Sequence, residues 1–124
     1  MDPEVDTYSI KSGYKLTREL LDDGVDCTAI FALSDSMAIG AVRALIDAGK
    51  KVPEDLSVTG YDDSMIARTG PVELTTVSHP QEKLGEMAAE LLLELLHGTP
   101  PEESRVLRLI EPELVIRKSC MERR

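Results

Sequence analysis

Apolar positions along the chain follow two periods, one suited to buried strands and one to amphipathic helices. Ala29 to Leu33 is continuously apolar over five residues, which predicts a parallel strand covered on both faces and lying inside a sheet. Met37, Ala38, Ala41, Val42, Leu45 and Ile46 then recur at helical spacing. Asp35 is placed to cap that helix, and Gly49 to end it in a left-handed conformation. After a return loop of Lys50, Lys51 and Pro53, Leu56, Val58 and Gly60 alternate with Ser57, Thr59 and Tyr61 in a second strand. A right-handed crossover sets the two strands parallel.

The flanking segments extend the pattern. Upstream, Ile10, Gly13, Tyr14, Thr17, Leu20 and Leu21 form one face of a helix capped by Thr7 or Ser9 and closed by Gly24. Gly13 costs such a helix about 1 kcal/mol relative to alanine, so close packing there, against the sheet, is its expected role. Downstream, Met65 to Ala67 predict a single helical turn broken at Gly70-Pro71, and Leu74 to Val77 a third strand stopped by Pro80. Ser78 and Gln81 have capping-box spacing. Leu84, Met87, Ala88, Leu91, Leu92 and Leu95 follow as a helix stripe, widened by Leu93 and Leu96 to a degree that suggests burial on two sides. Two strands close the chain, at Val106 to Ile110 and at Pro112 to Arg117, and Cys120 to Arg124 is expected to fray.

The geometric consequence lies at the carboxyl ends of the first two strands. Ser34 and Asp35 leave one, Asp62 and Asp63 leave its neighbour, and in open α/β sheets this edge is where ligands bind. Carboxylates and a hydroxyl on one rim suit sugar hydroxyls, exocyclic amines or a divalent cation. The competing reading is structural: Asp35 only a cap, Asp62-Asp63 only a turn.

Composition narrows the options. The 124 residues are 42% hydrophobic and 30% charged, which fits one globular domain too short for a two-lobe binding protein. The net charge of -9 argues against a nucleic-acid surface in this segment. Lys50-Lys51 and the cluster Arg117, Lys118, Arg123, Arg124 are expected to be solvated. No apolar run reaches the roughly 20 residues of a membrane span, and no secretory signal precedes the first helix, so a cytoplasmic location is expected. Cys27 and Cys120 lack metal-ligand spacing.

Catalytic chemistry finds little support. The two histidines, His79 and His97, sit before a helix and near the end of one, with no nucleophile arrangement around them. The turn after Leu33 reads SDS, not a glycine-rich phosphate loop, so no cofactor is implied. No enzyme is expected.

The order AIFALSDSMAIGAVRAL, GKKVPEDLSVTGYDD, ELTTVSHP and LGEMAAELLLELLHG resembles the carboxy-terminal part of a lactose-repressor-type (LacI/GalR) bacterial transcription regulator. The resemblance runs from about Thr7 to Arg117. It implies an α/β fold, a three-layer parallel-sheet lobe of a type I periplasmic-binding-protein-like sensor domain, incomplete because the first lobe is largely absent. Residues 7–77 and 105–118 would form the second lobe, and 78–104 a helix that packs in the first, with the DNA-binding headpiece expected to be absent from these residues. In such regulators the residues matching Asp62, Ser34 and Asp35 lie at or beside the pocket for a small polar effector such as a sugar or nucleoside, with Phe31 as an apolar wall. His79 stands where glutamine is frequent, and Ser34 where asparagine is frequent. The complete protein would bind operator DNA as a homodimer. The leucine-rich helix, lacking its usual partner, is expected to drive dimerisation here, folded back on its sheet or exchanged between chains. The alternative is an autonomous α/β small-molecule-binding or dimeric interaction protein derived from such a lobe.

Overall fold

A computed structural model of the chain describes residues 7–98 and 108–122. They form two compact units, the first running to Ser78 and resuming at Leu114, the second spanning His79–Glu113.

In the first unit, α1 (Ile10–Asp22) begins where Ser9, in extended conformation, accepts a hydrogen bond from the Ser12 amide, and it stops before Gly24 at φ +66°. Then come β1 (Ala29–Phe31), α2 (Asp35–Asp47), β2 (Ser57–Tyr61), the short α3 (Met65–Thr69) and β3 (Thr75–Ser78). β1, β2 and β3 are parallel neighbours, with Ile30 opposite Val58 and Gly60 opposite Thr76. β4 (Glu113–Val115) follows β3, giving the order β1-β2-β3-β4. Gly49, at φ +75°, lets the chain turn back after α2, as its position predicts.

The core forms where α2 meets one face of the sheet. Ile39, Val42 and Leu45 of α2 pack with Ala32, Val58 and Leu74, all fully or nearly fully buried. Because side chains alternate across a strand, the opposite face of β1 carries Ala29, Phe31 and Leu33. Phe31 is 60% exposed and Leu33 61%. The continuous apolar run therefore does not mark a strand buried on both faces: β1 is first in the strand order, and its second face is open.

Gly13 packs against a helix and not the sheet. A side-chain carbon there would collide with the backbone of Met37 in α2, and one at Gly40 with the backbone of Ile10 in α1. The two glycines thus let the helix backbones cross in direct contact, which the periodicity of either helix alone does not reveal.

The segment after β4 is integrated, not frayed. The Val58 amide donates to the Ser119 carbonyl at 2.8 Å, Ser119 is fully buried with its hydroxyl accepting from the Thr75 amide at 2.8 Å, and the Met121 amide donates to Ser57 at 3.2 Å. Cys120 Sγ donates to the Val58 carbonyl at 3.3 Å. Arg123 and Arg124 lie outside the described residues.

In the second unit, α4 (Gln81–Leu96) forms where the leucine stripe predicts it. Its N-cap is Pro80 with no side-chain cap bond, since Ser78 stays in β3 and does not complete the capping box with Gln81. None of its residues is buried, against the expectation of burial on two sides, and Arg108 lies along it with bonds to Glu94 at 3.1 and 3.2 Å. Leu109 and Ile110 are not in a strand, and Val106 and Leu107 lie outside the described residues.

Candidate functional site

The carboxyl edge of β1 and β2 is built by helix and turn chemistry. Ser34, extended at φ -153°, is the N-cap of α2 in place of Asp35; its hydroxyl accepts from the Met37 amide at 3.2 Å and donates to the Tyr8 carbonyl at 3.3 Å. Asp35 is the first helical residue and turns inward, only 1% exposed. Its Oδ2 accepts from the Ser64 amide at 2.7 Å and the Ser64 hydroxyl at 2.9 Å, and its Oδ1 from the Thr76 hydroxyl at 2.6 Å. Both oxygens are thus engaged by protein donors, and Gly60 leaves them room.

β2 ends at Tyr61, and the chain then makes a strained turn. Asp62 has φ +109° and Asp63 φ +48°, both unusual for residues with a side chain and costing on the order of 1–3 kcal/mol each. The Asp62 amide still donates to the Val77 carbonyl at 2.9 Å, keeping the turn registered on β3. The two aspartates are consequently not alternating strand residues, and their environments differ. Asp62 is half-buried at the rim. Asp63, with 11% of its side chain exposed, pairs with Arg117 and, at 3.0 Å, with Arg68. Burial pushes the Asp63 carboxyl up, but the two guanidinium groups outweigh it and hold it below its ordinary value.

Arg117 is accordingly no solvated terminal cation. Only 14% of its side chain is exposed; it ties the chain after β4 to Asp63 and to the Leu74 carbonyl at 2.9 Å, while its amide donates to Thr75. Sequence reasoning missed this pair, along with Ser64, Thr76 and Ser119. The signals were the second of two aspartates after a strand and an arginine at the end of the predicted final strand, with nothing to say that they meet.

Of the residues expected at the site, Ser34 and Asp62 therefore leave neighbouring parallel strands at one edge, and Phe31 exposes its ring on the open face of β1. Asp35 lies beneath that edge. His79 opens the second unit and is half-buried.

The periplasmic binding protein-like domain family matches residues 2–120 of the chain. The chain belongs to this family, in its LacI/GalR branch. It is 39% identical over 112 residues to the HTH-type transcriptional regulator CelR of Thermobifida fusca, covering 90% of this chain and 32% of that protein. With the HTH-type transcriptional regulator MalR of Streptomyces coelicolor it shares 44% over 113 residues, 90% of this chain and 31% of that protein. The chain thus spans about a third of the length of the curated relatives it matches. Among solved structures, the lac repressor dimer bound to operator and the anti-inducer ONPF superposes with a TM-score of 0.84 at 33% identity, over 92% of this chain and 39% of that one. The CelR–cellobiose complex gives 0.82 at 37% identity, over 94% and 37%. A LacI family regulator from Enterococcus faecium with bound ribose gives 0.79 at 38% identity, over 91% and 41%. The relatives are transcriptional regulators, and among the described residues no helix is long and apolar enough to cross a membrane.

Proposed function

We propose that this chain is the effector-sensing and dimerising part of a LacI/GalR-type regulator, with residues 7–77 and 105–118 as its second lobe. The complete protein works in the cytoplasm, binding a small polar effector and controlling its own attachment to operator DNA through a headpiece outside this chain. The observation that carries this reading is the pairing of Ser34 and Asp62 at the carboxyl edge of adjacent parallel strands, in a chain whose relatives include cellobiose- and ribose-bound regulators.

Asp62 accepts hydrogen bonds from effector hydroxyls or amines. Ser34 already spends its proton on the Tyr8 carbonyl and one lone pair on the Met37 amide, so it offers the effector its remaining lone pair. Phe31 gives the pocket a flat apolar wall. The ligand role of His79 is carried by the resemblance alone. Asp35, with both oxygens occupied, is removed from the group that touches the effector. No step in this scheme makes or breaks a covalent bond, in keeping with relatives that are transcriptional regulators.

Residues 78–104, including α4, belong to the first lobe of the complete regulator, which covers the exposed leucines. In the 124-residue chain alone, α4 supplies the surface for self-association. Its open leucine face also favours the second reading, an autonomous α/β interaction protein. The deciding experiment is operator release by the complete regulator. Cellobiose or ribose is expected to release the wild type. Asp62→Ala is expected to shift release to at least about tenfold higher effector, with operator affinity in its absence nearly unchanged, while release at the wild-type concentration would remove Asp62 from the pocket.

A further inference from the structure

We infer that Asp35 is a positioning residue, which sets the backbone turn that presents Asp62 to the effector; this rests on the reading of Asp62 as an effector contact. The turn comprises Asp62, Asp63 and Ser64, and its first two residues hold positive φ. Positive φ at two successive residues is costly even for aspartate, and the turn is held at several points, the Asp63 carboxylate by Arg117 and Arg68 among them. Asp62 is held at its start by the bond from its amide to the Val77 carbonyl. The two residues after it are held from beneath. The Ser64 amide donates directly to Asp35 Oδ2 at 2.7 Å, joined by the Ser64 hydroxyl at 2.9 Å. The Asp63 amide donates to Thr76 Oγ1 at 3.4 Å, and that hydroxyl passes its own proton to Asp35 Oδ1 at 2.6 Å.

Asp35 therefore receives both successive amides of the turn, one directly and one through Thr76. Three donors converge on a group 1% exposed, and a carboxylate has acceptor positions for all three where a carboxamide has a single oxygen. The group sits at the first residue of α2, whose body is locked into the core by Ile39, Val42 and Leu45. The rigid helix thus provides the anchor, and the strained turn is fixed to it. Gly60 completes the arrangement: a side-chain carbon at that position would overlap Asp35 Oδ1. Asp35 acts on the effector through Asp62, without touching it.

Amide hydrogen exchange of the 124-residue chain tests this without any ligand. In Asp35→Asn, one acceptor is lost, and exchange at Asp63 or Ser64 is expected to rise at least about tenfold while the amides of Val58 and Ala38 keep their rates. In Thr76→Val, which removes only the relay hydroxyl, Asp63 alone is expected to accelerate. The three-bond coupling of the Asp62 and Asp63 amides, which reads φ, is expected to move in Asp35→Asn. Unchanged local exchange and couplings in both variants would overturn the inference, and so would acceleration spread evenly over the chain, the mark of a general loss of stability. If Asp35→Asn does not fold, Thr76→Val decides alone. Since no effector is present, a failed pocket assignment for Asp62 and a failed role for Asp35 give different results.

Discussion

Asp62 and Asp63 are adjacent and chemically identical, yet the fold gives them different surroundings. Asp62 is half-buried at the rim of the sheet's carboxyl edge, while Asp63 turns to Arg117 and Arg68. The Asp63 pair closes the link between the β2 edge and the segment after β4. Asp63→Asn leaves Arg117 largely buried without its counter-charge and is expected to cost about 1.5–3 kcal/mol in urea unfolding, the range for hydrogen bonds to charged groups. The pH dependence has a definite sign. Because the folded-state pKa of Asp63 is lowered, its contribution is complete above the ordinary carboxylate range and fades as pH falls through the folded value. Wild type is therefore expected to lose stability on acidification more steeply than Asp63→Asn; parallel curves would show that the pair is energetically silent. This division of labour was only partly legible in the sequence. That two aspartates ended a strand could be read from SVTGYDD, but which one stayed at the rim depended on where Arg117 returned, a contact 54 residues distant. Asp35 was misjudged for a similar reason: its spacing fits a cap, and only the approach of Thr76 and Ser64 shows that it is turned inward while Ser34 does the capping.

At the scale of elements, the periodic helices were the legible part. α1, α2 and α4 form where their stripes fall, because a 3.6-residue repeat over three turns or more has few other uses. How they pack was not legible. Gly13 signals close packing but not against what, and Gly13 and Gly40 each turn out to face the backbone of the opposite helix, at Met37 and at Ile10. Gly13→Ala or Gly40→Ala gains up to about 1 kcal/mol of helix propensity but drives a methyl group into a carbonyl or amide that cannot yield. Overpacking of a tight contact costs roughly 1–3 kcal/mol or more, so both substitutions are expected to destabilise in thermal unfolding. A raised melting temperature would mean that the helices separate more readily than this crossing implies. The strands were harder: five apolar residues in β1 predicted burial on both faces, whereas β1 ends the strand order and exposes Phe31 and Leu33. A continuous apolar run alone does not tell whether the second face of a strand is covered, and for β1 it is not.

For the whole molecule, the proportion of its relatives that the chain spans frames every functional statement. On the proposed reading, a third of their length would offer one rim of a cleft, and a ligand held from one side buries too little of its surface to bind tightly. α4 carries the same implication for assembly. Leu92, Leu93, Leu95 and Leu96 are at least half exposed, an apolar face that needs a partner. In the 124-residue chain, self-association through this face is expected to give a dimer by sedimentation, and charged replacements at Leu91 and Leu92 to abolish it. A dimer that survives those changes would shift the interface to the first unit, where Ile10, Tyr14, Ile46 and Pro71 line an open groove of about 670 Å³ between α1 and α2.

The central claim, that Asp62 grips a small polar effector, is tested most directly by calorimetric titration of the complete regulator, wild type beside Asp62→Ala, with the effector that releases it from operator. The account predicts saturable binding by the wild type and an affinity at least about tenfold weaker in the variant, with both proteins folded to the same degree. Equal affinities would contradict it, returning Asp62 to the role of a turn residue and leaving the carboxyl edge of the sheet without its ligand.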